Sequence, residues 1–197
     1  FFVSSFEKTS NAVTGAMQFN GTDNFAAIDT FFNQIDQIPE ITVEAWVNTN
    51  FSGGTNDNWA IVDFDRSEYF NFYVTGNGRL GFSTSEISGT GNVDDMYSDT
   101  IGKINDGNWH HVAAVYNGTD KIMYIDGQKV KTVANPHNGA ALGSGTIRYG
   151  IIGDGSEATE FYGGKDGQGN YETNNYYFEG SLDEIRVWTG TRSETQI

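Results

Sequence analysis

Carboxylates are the residues of this chain best able to do chemistry. Asp63, Asp65 and Glu68 fall within six positions, and Asp154 and Glu157 lie three apart around Gly155 and Ser156. Asp94, Asp95 and Asp99 form a third acidic stretch. Three outcomes are open to such groups. Alternate acids on one strand face can serve as nucleophile and acid/base in glycoside hydrolysis. Flexible Asp/Asn/Gly loops can supply the roughly six to eight oxygens that Ca²⁺ takes. Otherwise the acids are solvated surface. An EF-hand is excluded, because counting from Asp166 puts Tyr171 where the loop needs Gly and Tyr177 where it needs Glu.

The other metal and nucleophile chemistries fare worse. There is no cysteine, so disulfides, zinc thiolates and thiol nucleophiles are out. His110 and His111 are adjacent on a strand-like segment. Neighbours on a strand point to opposite faces, so the two do not share one metal. No H-E-x-x-H pattern occurs.

Aromatic residues accompany the acids. Trp59 borders one polar stretch, and Phe161, Tyr162, Tyr171, Tyr176 and Tyr177 fall in or beside another. Sugars present an apolar C–H face and a polar rim, which suit aromatic platforms and nearby Asp, Asn and backbone groups. The expected ligand contacts are Trp59, Asp154, Glu157, Tyr162 and Tyr171. Phe178 is expected to pack inward at the start of the last strand.

These groups need a scaffold, and composition bounds it. The 197 residues carry 11 basic and 26 acidic side chains, a net charge of −15. That excludes double-stranded nucleic acid, which needs clustered Lys and Arg, and disfavours anionic membrane surfaces. No apolar run approaches the ~20 residues of a membrane helix. Aromatic residues reach 14%, which argues for a packed core. The chain opens on Phe1-Phe2-Val3-Ser4-Ser5, with no initiator Met, basic segment or signal-type apolar run. It reads as a single domain, 1–197, excised from a larger multidomain protein.

The periodicity is that of strands. Ile41, Val43, Ala45 and Val47 alternate on one face, as do Phe70, Phe72 and Val74. Asn77-Gly78 turns into Leu80-Gly81-Phe82. His110–Tyr116 and Lys121–Asp126 make a hairpin, and Asp126-Gly127 turns into Gln128–Lys131. Ser181–Trp188 is the last strand. Asn50–Asn58, Ser85–Asp99 and Asp154–Asn175 are too polar for core strands and read as loops. Short strands between Gly, Asn, Asp and Ser turns predict an all-β sandwich or barrel. Asn20-Gly21-Thr22 and Asn117-Gly118-Thr119 match the glycosylation pattern, which matters only in a eukaryotic source.

Four segments in order resemble the laminin-G-like branch of the concanavalin-A-like jelly rolls. They are Phe19–Phe25, Ile41–Val47, Gly107–Gly127 with its Trp109-His110-His111-Val112 core, and Phe178–Trp188. The resemblance implies an all-β fold, a two-sheet antiparallel jelly-roll sandwich. It makes the Trp-His-His segment structural. It also implies a structural Ca²⁺ where the opening turn meets the closing strand, with Asp23 and Asp183 as ligands. A second Ca²⁺, similar to that of the pentraxins, would bridge ligand through Asp63, Asp65, Glu68, Asp154 and Glu157.

The glucanases of the same superfamily carry an E-x-D-x-x-E or E-x-D-x-E strand signature. Asp63-Phe64-Asp65-Arg66-Ser67-Glu68 departs from it, with Asp63 at the nucleophile position and Arg66-Ser67 replacing an apolar stretch. Hydrolysis centred there is therefore a minor alternative, and no catalytic residue is assigned. The resemblance implies a calcium-dependent carbohydrate-binding, lectin-like module of an extracellular or cell-surface protein, such as a bacterial adhesin. Its partner would be a glycan on a cell surface or a polysaccharide. The alternative is a protein-binding or structural laminin-G-type module without glycan specificity.

Overall fold

The computed structural model describes residues 15–32, 37–54, 58–86, 93–99, 103–143, 146–156, 158, 161 and 177–197. These residues form strands and turns, with no helix among them. No described helix is long and apolar enough to cross a membrane. Twelve strands follow in chain order. They are β1 (Met17–Asn20), β2 (Ala26–Phe32), β3 (Ile41–Asn48), β4 (Asn58–Asp63), β5 (Phe70–Thr75), β6 (Leu80–Ser85), β7 (Val93–Tyr97), β8 (Trp109–Tyr116), β9 (Asp120–Ile125), β10 (Gln128–Ala134), β11 (Arg148–Ile152) and β12 (Glu179–Trp188). The first sheet runs β1-β12-β3-β8-β9-β10 and the second β2-β11-β4-β5-β6-β7. Every pairing between neighbouring strands is antiparallel.

Alternation explains why these segments are strands with one face inward. Val43, Ala45 and Val47 of β3 join Val112 and Ala114 of β8 and Leu182, Ile185 and Val187 of β12 in the core. Phe70, Phe72 and Val74 of β5 and Leu80 and Phe82 of β6 fill it from the second sheet. Phe178 is buried with Phe19 edge-on to it, ring centroids 6.1 Å apart, so it packs inward as expected. The hairpin at Asn77-Gly78 forms, with Gly78 at φ 75°, a conformation glycine adopts without penalty.

One expected loop is partly a strand. Within Ser85–Asp99, Val93–Tyr97 pairs with β6 as the sheet's edge. Edge strands tolerate charge, because one side and one face can meet solvent. Asp95 faces outward there, while Asp94 meets a buried cation. That cation is Lys121, at 0% exposure, on β9 of the opposite sheet. Its Nζ crosses the sandwich to the carbonyl of Phe82 at 3.0 Å, the carbonyl of Asp94 at 2.6 Å and Asp94 Oδ1 at 2.7 Å. Burial pushes its pKa down, against the raising effect of Asp94.

The outer face of the first sheet is covered unevenly. Thr42, Glu44 and Trp46 point outward from β3. Thr42 lies beneath the C-terminal segment, donating to the carbonyl of Gly190 and accepting from the N–H of Arg192. Ala113, Val115, Ile122 and Tyr124 pack with Ile197. Trp46 remains 40% exposed.

Candidate functional site

The second sheet carries a row of polar side chains on its outer face. Asp63 of β4 is opposite Asn71 of β5, Asn71 opposite Ser83 of β6, and Ser83 opposite Asp95 of β7. Their chain neighbours Val62, Phe70, Phe72 and Phe82 lie in the core, so the row points away from it. The adjacent row holds Tyr73, Gly81 and Tyr97. Gly81 is required because a Cβ there would sit 2.2 Å from the Tyr73 ring. The Tyr73 hydroxyl hydrogen-bonds Ser83 Oγ at 3.0 Å, and the Tyr97 ring stands edge-on, 6.0 Å away. Arg79 caps Tyr97 at 5.2 Å. Sequence reading missed these residues. Their only signal was the polar alternation within Phe70-Asn71-Phe72-Tyr73.

At one end of the row three acids take different roles. Asp63 is buried, and its Oδ1 accepts the N–H of Asp65 at 2.5 Å. Burial, then the Asp65 charge, push its pKa well above the usual carboxylate range, against backbone hydrogen bonds from Asp65 and Ser156. The Asp154 charge adds to that rise. Asp154 is itself buried, and its pKa is pushed up to about 7 by burial, against the hydrogen bond from Gly155 and the Tyr177 side chain. Its Oδ1 accepts the Gly155 N–H at 2.7 Å, whereas Oδ2 has no hydrogen-bond partner. Asn71 Oδ1 is likewise buried without a partner.

Asp65 and Glu68 depart from the expected ligand set. Arg148 of β11 donates through Nε to Asp65 Oδ2 at 2.7 Å and reaches Glu68 at 3.5 Å. A guanidinium therefore neutralises the acids that a calcium ion would have needed. Asp65 also sits past the end of β4 at φ 65°, in a turn, so Asp63, Asp65 and Glu68 do not line one strand face as the glucanase signature requires. Among the described residues, no three Asp, Glu or His side chains converge to hold a metal ion.

The expected Asp23–Asp183 calcium site is also redistributed. β1 pairs Asn20 with Glu179 and Met17 with Leu182. Asp183 is thus level with position 16, about 13 Å of strand from Asn20, while Asp23 lies beyond Asn20 in the other direction. Asp23 accepts from Asn20 Nδ2 at 2.7 Å within its own turn, and Asp183 accepts the N–H of Glu184 at 2.8 Å. One ion cannot bridge them.

Trp59 is 6% exposed and packs on Phe51, ring centroids 4.1 Å apart, so it is a core side chain with no open face for a sugar. Glu157, Tyr162 and Tyr171 lie outside the described residues. His110 and His111 do diverge. His110 is clamped between Asp126 at 2.9 Å and Asp106 at 3.0 Å, while the His111 ring meets Trp46 edge-on at 5.4 Å.

Residues 20–197 match the family described as the Concanavalin A-like lectin/glucanases superfamily. The chain belongs to that superfamily. Solved structures agree on the fold. A heptameric SAP-like pentraxin from Limulus polyphemus is 18% identical, with TM-score 0.59 over 91% of this chain and 77% of that one. A putative carbohydrate binding protein from Bacteroides ovatus is 18% identical, TM-score 0.61, over 91% of this chain and 46% of that one. Domains LG4-5 of the mouse laminin alpha1 chain are 18% identical, TM-score 0.58, over 94% of this chain and 44% of that one. This superfamily member spans less than half the length of the last two. No curated protein matches its sequence. The similar structures are mostly of binding domains.

Proposed function

We propose that this chain is a non-enzymatic carbohydrate-binding module of an extracellular or cell-surface protein, such as a bacterial adhesin. The observation that carries it is the pair of buried acceptors, Asn71 Oδ1 and Asp154 Oδ2, that flank Asp63 with no donor at hydrogen-bond distance, Tyr177 lying only near enough to lower the Asp154 pKa. An unmatched buried acceptor costs on the order of 1–3 kcal/mol. Sugar hydroxyls are donors of the right kind. The likeness to a putative carbohydrate binding protein supports the same reading.

Calcium dependence belongs to the proposal with a narrower ligand set. Asp65 and Glu68 drop out, because Arg148 holds them. Asp63, Asp154 and the Asn71 amide oxygen remain as hard oxygen donors, with Glu157 the further acid expected from the sequence. Bound there, Ca²⁺ would lower both raised carboxylate pKa values and present open positions to vicinal hydroxyls.

The test is glycan-array binding of the wild type, Asn71→Ala and Asp154→Asn, each in Ca²⁺ and in EDTA. Binding lost in both variants and in EDTA is the expected result. Binding that is lost in Asn71→Ala and Asp154→Asn yet survives EDTA removes calcium from the proposal. Binding to no glycan overturns the proposal in favour of a protein-binding module.

A further inference from the structure

Two of the large hydrophobic side chains exposed among the described residues stand together on the first sheet. They are Trp46 of β3, 40% exposed, and Trp109 of β8, 43% exposed. β3 pairs Trp46 with His111 and Asn48 with Trp109. Trp46 and Trp109 are therefore diagonal neighbours on one face, with Cβ atoms about 7 Å apart or less. The His111 ring stands across the strand pair from Trp46, edge-on to it. Neither indole N–H has a hydrogen-bond partner among the described residues, in contrast to Trp188, whose Nε1 donates to Glu44 at 3.0 Å. Both indoles thus present a ring and a free donor to solvent.

The surroundings narrow the occupant. Most charges beside the strip compensate one another. Glu44 is shared by Arg186 at 3.6 Å, His111 at 3.9 Å and the Trp188 donor. Arg186 also pairs with Glu184. Asp183, opposite Trp46 on β12, has no cation partner among the described residues, so the strip would repel an anion and suits a neutral ligand. Its size is also limiting. A large aromatic side chain has roughly 250 Å² to bury, so the two indoles leave about 100 Å² each. A standard protein interface needs about 800 Å² per partner. Two exposed indoles on diagonal positions, each with a donor at its edge, instead suit consecutive sugar rings. The C-terminal segment closes the far end of the same face over Thr42 and leaves this end open.

We propose that Trp46 and Trp109 form a second glycan-contact surface, on the sheet opposite the Asp63–Asn71 row, that stacks two rings of a neutral oligosaccharide. This rests on the carbohydrate-binding reading and adds a separate surface to it. The probes are cellohexaose, laminarihexaose and mannohexaose, followed by tryptophan fluorescence and calorimetry. The variants are Trp46→Ala/Trp109→Ala and Trp46→Tyr/Trp109→Tyr, both in buffer with EDTA.

The wild type is expected to bind at least one probe. The double Ala variant should lose about tenfold or more in affinity, while the double Tyr variant should keep most of it. Binding to none of the three, or binding unchanged in the folded double Ala variant, overturns the Trp surface. Acidic or calcium-dependent glycans still held by the wild type would then leave the module's function standing. A dimer in solution that the double Ala variant dissociates also overturns the glycan role, because the strip would be covered by a second copy.

Discussion

Arg148 and Asp65 are 83 residues apart in the chain, yet Arg148 Nε lies 2.7 Å from Asp65 Oδ2. Their side chains are 11% and 5% exposed. The pair ties β11 to the turn after β4, and Glu68 joins it. Removing one member of such a buried pair strands the other charge. Arg148→Ala is therefore expected to cost about 3–5 kcal/mol, read from urea unfolding. A loss below about 1 kcal/mol would mean the pair is solvated like a surface bridge.

Asp154 makes stability depend on pH in an unusual direction for an acid. Its folded pKa is about 7 and its ordinary value 3.8. Below the ordinary value both states are protonated and there is no penalty. As pH rises toward 7 the unfolded chain ionises first, so the native state loses stability, and the loss is complete above pH 7. Asp154→Asn should melt several degrees above wild type at pH 8 in EDTA, with the gap closing toward pH 4. A constant gap across that range would refute the assignment.

His110 titrates the other way from an ordinary buried histidine. Burial pushes its pKa down, but hydrogen bonds and charges from Asp126 and Asp106 raise it above its usual value. The stabilisation is full below about pH 6.5 and is lost as pH rises through the folded pKa. Proton NMR of the His110 ring should give a midpoint above 6.5, falling in Asp126→Asn. A midpoint below 6.5 in the wild type would show that burial dominates.

Gly81 is a packing position rather than a turn. Its missing side chain is the seat of the Tyr73 ring, which is held at its far end by Ser83. Gly81→Ala should destabilise by about 1–3 kcal/mol through overpacking, and Gly81→Ala with Tyr73→Leu should recover part of it. Chemical denaturation of the two variants decides the point.

What could be read in advance follows physical range. The inward faces of β3, β5, β8 and β12 were legible because alternation is local: Ile41, Val43 and Phe70 announce their face within a few residues. β7 was hidden because its acids sit at an edge, where Asp95 meets Arg66 and Asp94 meets Lys121. The acids at Asp65 and Glu68 looked free because their cation arrives from another strand. Asp23 and Asp183 looked like partners because β1 and β12 do pair, but the register separates them. Trp59 looked like a platform because its neighbours are polar. Phe51, which buries it, belongs to the same polar stretch. Pattern names the face, whereas register and distant charges decide what that face can hold.

The lysine that spans the sandwich also gives the fold an internal reporter. Amine-reactive reagents modify lysines they can reach, and a lowered pKa would by itself make an amine a faster nucleophile. Lys121 is unreachable, so it should stay unlabelled while Lys103, Lys129 and Lys131 react. Its labelling rate in a native sample then measures how often this part of the sandwich opens, without any ligand in hand.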